Sequence, residues 1–162
     1  VNETDHRDQD LLRRLSSDLE TQLRQKEAER DSHQMGRPEW FDLTEQTNTL
    51  RNVLYDLNHA LEHGFTPLED QRAAAIGTLP AYETRLLERL NAELDGQRTR
   101  RLTVQRRLEA GSSDHRRVQQ EIDTLHRVLR QLRYALDHGT TQPNTGEEMT
   151  GETPAPDRTL LA

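Results

Sequence analysis

The sequence predicts an all-α protein made of two tandem copies of one antiparallel helical hairpin, joined as a four-helix bundle or a coiled-coil-like assembly. Three observations carry this expectation. Leucines recur at alternating steps of three and four. Sliding the chain by 75 residues superposes 11–64 on 86–139 without a gap, with 16 identities in 54 pairs. Composition is poor in apolar residues (31%) and rich in charged ones (31%), which suits narrow helices that each bury a single stripe.

The elements follow in order. Residues 1–9 are expected to fray, because the opening Val1-Asn2-Glu3-Thr4-Asp5 is polar and acidic. Hairpin copy 1 spans 10–64. Its first helix carries Leu12, Leu15 and Leu19; its second carries Leu43, Thr47, Leu50, Leu54, Leu57 and Leu61. That 4-3 alternation is the seam of helices packed at a shallow angle. Gly36 is expected as the left-handed residue that stops the first helix, with Pro38 opening the second. His63-Gly64 closes it.

A linker over 65–79 follows, in which Thr66-Pro67-Leu68-Glu69 reads as a capping box opening a short helix through Ile76. Hairpin copy 2 spans 80–139, with its first helix expected from Pro80. It repeats the stripe as Leu87, Leu90 and Leu94, then Val118, Ile122, Leu125, Leu129, Leu132 and Leu136. Gly111, a Ser112 or Ser113 cap and a terminal His138-Gly139 match the punctuation of copy 1. Residues 140–162 are rich in Thr, Pro, Gly and Glu and are expected to be a disordered tail. Its apolar end, Thr159-Leu160-Leu161-Ala162, suits a docking motif or a degradation tag.

Several functions are disfavoured by what the chain lacks. With no cysteine there is no disulfide, thiolate metal site or Cys nucleophile. No apolar run nears the ~20 residues of a membrane span, so a soluble, cytoplasmic protein with no membrane partner is expected. No phosphate-binding glycine loop or Ser/His/Asp grouping occurs; the expectation is a non-enzyme without cofactor or metal. His59 and His63 share a helix face at metal-ligand spacing, but copy 2 has Tyr134 and His138 there. The 21 Arg against one Lys fit the coding bias of a GC-rich bacterial genome.

Two surface features remain as candidate partner sites, both at the hairpin tips. The first is apolar: Trp40 and Phe41, just beyond the copy 1 turn, are the one adjacent aromatic pair and, with Met35, make an apolar patch and a natural interface anchor. The second is electrostatic. Residues 11–64 carry a net charge of −3 and residues 86–139 carry +3, with Arg98, Arg106, Arg107, Arg116 and Arg117 crowding the second tip. Those arginines could grip phosphates, or answer Glu27, Glu29, Asp31, Glu39, Asp42 and Glu45 of the first tip. Hairpin factors that enter the RNA polymerase secondary channel need an acidic tip, so that resemblance is set aside.

The leading expectation is thus an adaptor or scaffold that binds a protein partner through its tips and self-associates. The runner-up is a regulator binding nucleic acid, or a machine such as RNA polymerase, through the Arg-rich tip. Its overall charge of −7 counts against it, because backbone recognition needs a net basic footprint.

Overall fold

A computed structural model of the chain describes residues 3–78, 82 and 84–142. Among the described residues the regular structure is entirely helical: α1 (Glu3–Asp31), α2 (Pro38–His63), α3 (Pro67–Ile76), α4 (Leu86–Arg106) and α5 (Ser113–His138). None of these helices is long and apolar enough to cross a membrane. The C-terminal motif Thr159–Ala162 and Pro80 lie outside the described residues.

The leucine stripes become the core. Leu12, Leu15 and Leu19 of α1, Leu50, Leu54 and Leu57 of α2, Leu87, Leu90 and Leu94 of α4, and Leu125, Leu129 and Leu132 of α5 join one buried apolar cluster. Positions 75 apart are buried alike: Leu19 with Leu94, Val53 with Val128, Ala60 with Ala135, Thr49 with Thr124. A fully buried leucine contributes about 1.5–3 kcal/mol, and the repeated set is what holds four thin helices together. Further out, α1 buries nothing beyond Leu19 and α4 nothing beyond Leu94, whereas α2 and α5 stay buried to Leu43 and Val118.

Side-chain contacts give the directions. Ser16 meets Asn58 and Glu27 meets Arg51 across α1 and α2, and Arg98 meets His126 and Arg101 meets Glu121 across α4 and α5; each hairpin is antiparallel. Asp42 meets Arg116 and Gln46 meets Gln120, so α2 and α5 run parallel, nearly in register. Both turns consequently lie at one end of the molecule.

Three boundaries differ from expectation. Residues 3–9 are helical rather than irregular: α1 begins at Glu3, and Asp8 is 1% exposed. Counting back from Leu19, Leu15 and Leu12, the next seam position is residue 8, so the stripe continues onto a carboxylate. Its Oδ1 accepts from Arg85 Nε at 3.1 Å and Nη2 at 2.6 Å, and its Oδ2 accepts from the Leu87 N–H at 3.3 Å. The last contact explains the second difference. Helix α4 starts at Leu86 rather than near Pro80, and its own N-cap, Arg85, has no capping side chain. Asp8 caps it from another helix, placing negative charge at the helix N-terminus.

The third difference concerns the glycines. Gly36 and Gly111 do take left-handed φ of 92° and 85°, but they do not terminate α1 and α4, which end at Asp31 and Arg106. They sit one residue before the N-caps Arg37 and Ser112. In each turn a backbone bond closes four residues: Arg37 N–H to Gln34 O at 3.1 Å, and Ser112 N–H to Glu109 O at 3.0 Å. Glycine occupies the third position, where a type II turn requires positive φ. The other caps match the sequence reading. Ser112 accepts from His115 N–H, Pro38 opens α2, and Gly64 and Gly139 close α2 and α5 in the left-handed region.

Candidate docking surface at the hairpin tips

The turn geometry decides what the first tip displays. Met35 is the second residue of the four-residue turn, which aims it away from both helices, and it is 75% exposed. Phe41, one turn into α2, is 55% exposed. Trp40 is half-buried and meets Phe41 edge to face at 5.3 Å between centroids. Phe41 and Met35 are apolar side chains left in water beside a rigid turn.

The five arginines singled out from sequence do not form one cluster. Arg116 is taken by Asp42 of the first hairpin in a two-pronged pair at 2.9 and 2.6 Å, and this hydrogen bonding holds its guanidinium above the usual arginine range. Arg117 lies 3.7 Å from Asp114. Burial, followed by the nearby Glu121, raises the carboxyl of Glu45, while Arg117 and Arg101 pull it back down. The acidic residues of the first tip thus answer part of the basic excess of the second within one chain. Arg98 stands apart, on the middle of α4, bonded to Asp95 at 2.6 Å and to the ring of His126 at 3.2 Å. Arg106 and Arg107, at the very end of α4, form no ion pair among the described residues.

The first-helix seams continue as polar residues, Gln22 and Lys26 on α1 and Gln97 and Arg101 on α4, all half-buried except the exposed Arg101. Gln97 donates to Asp56 at 3.1 Å, Arg101 approaches Glu121, and burial lowers the ammonium of Lys26, helped by Arg127. Such layers fix register more than they add stability.

At the opposite end, the pairing of Glu69 with Arg89 escaped the sequence reading. Glu69 completes the capping box with Thr66 and also accepts from Arg89 Nε at 2.6 Å, while Arg89 covers the ring of Tyr82 at 4.3 Å. This bolts α3 to α4. The only available signal was the identity of Arg14 and Arg89 across the 75-residue shift, and it did not name a partner. His59 and His63 stand 4.5 Å apart between rings, against Phe65. Among the described residues no three His, Asp or Glu side chains converge as a metal site would need.

Comparison with protein-family models, curated proteins and solved structures finds no significant match.

Proposed function

We propose that the chain is a duplicated helical hairpin arranged as a four-helix bundle, and that it acts as a non-enzymatic adaptor that docks a protein partner at its two-tip end. Burial of equivalent residues in both halves and the matched turn geometry support duplication; the shared core of α1, α2, α4 and α5 supports the bundle. One observation carries the docking reading: Met35 and Phe41 present bare apolar surface on the end where both turns meet. Arg106 and Arg107, in the second turn at the same end, form no ion pair among the described residues, which suits a partner with an apolar pocket rimmed by carboxylates.

The test is capture of partners by the full chain and by Met35→Ser/Phe41→Ser, with Tyr55→Ser, at an equally exposed site on the shaft of α2, as control. A partner lost with the tip pair and kept by the control is expected. Partners retained equally by all three would overturn the reading. Nucleic-acid binding is weakened as an alternative, because Arg116 is engaged by Asp42, Arg117 lies near Asp114 and Arg98 is remote from the tip.

A further inference from the structure

Away from the tips, α4 and α5 enclose an open groove of about 280 Å³ lined by Asp95, Arg98, His126, Arg130 and Arg133. Three guanidiniums line the groove with one carboxylate and Asn91; Asp95 Oδ1 accepts from Arg98 Nη2 at 2.6 Å, while Arg98 Nε is buried without a partner among the described residues. Arg130 forms no ion pair among the described residues, and Arg133 reaches Asp137 only at 3.8 Å. Positive charge accumulates further behind the groove: Arg127 is shifted below the usual arginine range, chiefly by burial, with Asp123 opposing the shift and Arg130 adding to it.

The histidine is oriented as a donor. Arginine cannot accept a hydrogen bond, so its contact with His126 Nδ1 makes that nitrogen the acceptor and leaves the proton on Nε2. The groove therefore offers three guanidiniums and an imidazole N–H against the acceptors of Asp95 and Asn91, a donor excess that recognises a phosphoryl oxygen rather than a cation or a sugar. From His126 to Arg133 the lining extends ~10 Å along α5 at 1.5 Å per residue. That length exceeds one phosphate and fits two linked ones.

We propose that this groove binds a small molecule bearing a diphosphate, with Arg130 and Arg133 taking one phosphoryl group and Arg98 with His126 the other. The site is independent of the docking tip. The experiment follows the His126 ring resonances of the full chain by NMR at constant ionic strength, titrating pyrophosphate, orthophosphate and a phosphoserine peptide. Saturable shifts with pyrophosphate are expected, at least tenfold tighter than with the other two. Arg130→Gln/Arg133→Gln, both at exposed positions, is expected to weaken binding at least tenfold with an unchanged helical spectrum. The proposal fails if pyrophosphate shows no saturation by ~10 mM, a level at which only affinities too weak to matter remain unseen. It fails equally if orthophosphate or the peptide binds as well, or if the double variant binds like the wild type.

Discussion

The carboxylate of Asp8 links the first helix to the start of the third long one, and its removal should be felt across the whole fold. Asp8→Ala deletes two hydrogen bonds from Arg85 and one from the Leu87 N–H. Charge-assisted bonding at a buried site is worth about 1.5–3 kcal/mol, and loss of a helix cap costs about 1 kcal/mol more. Arg85 keeps 30% of its side chain exposed, so it can turn toward water and recover part of this. The net loss should be ~3 kcal/mol, which for a chain of this size corresponds to a fall in Tm of roughly 6–12 °C. Urea unfolding followed by helical circular dichroism measures it. Asp10→Ala is the control: its pair with Arg13 is exposed on both sides and should cost about 0.5 kcal/mol or less. A double-mutant cycle with Arg85→Ala should show coupling of ~1–3 kcal/mol. If Asp8→Ala costs no more than Asp10→Ala, the opening turns of α1 do not dock on α4, and the proposed cap between helices is wrong.

Two further perturbations probe the base and the turns. Burial raises the carboxyl of Asp56 above its ordinary 3.8, against the lowering effects of the Gln97 hydrogen bond and His59. A raised carboxyl binds its proton more tightly in the folded state, so stability from this residue is full below about pH 4 and is lost as pH climbs past the folded value. Asp56→Asn, which can still accept from Gln97, should therefore stabilise the protein at pH 7 and make no difference near pH 3; urea midpoints at the two pH values check this. Gly36→Ala and Gly111→Ala meet no steric neighbour, so each should cost only the strain of positive φ, about 1 kcal/mol, in thermal unfolding.

The hairpins were legible in sequence because a helix that buries one side writes its period into the order of its leucines, and Thr66-x-x-Glu69 and the His-Gly endings mark boundaries through purely local bonding. Asp8 shows where that legibility stops. Its seam position can be counted back from Leu12, but a carboxylate there looks like solvent exposure until Arg85 and the bare N-terminus of α4 are seen beside it. The position of Gly36 was similar: positive φ was foreseeable, whereas its place before α2 depended on α1 ending at Asp31. The arginines of the second hairpin read as one patch along the chain, yet Asp42 takes Arg116, and His126 and Asp95 hold Arg98.

What the sequence determined by itself is the helical class, the hairpin punctuation and the buried stripe, since all three arise from interactions within a few turns of one helix. Which charges are matched, and which end gathers both turns, was decided only by the tertiary structure. Ion pairing acts over a few ångströms between residues such as Asp42 and Arg116, or Asp8 and Arg85, that lie more than seventy positions apart in the chain, and no local pattern records that proximity.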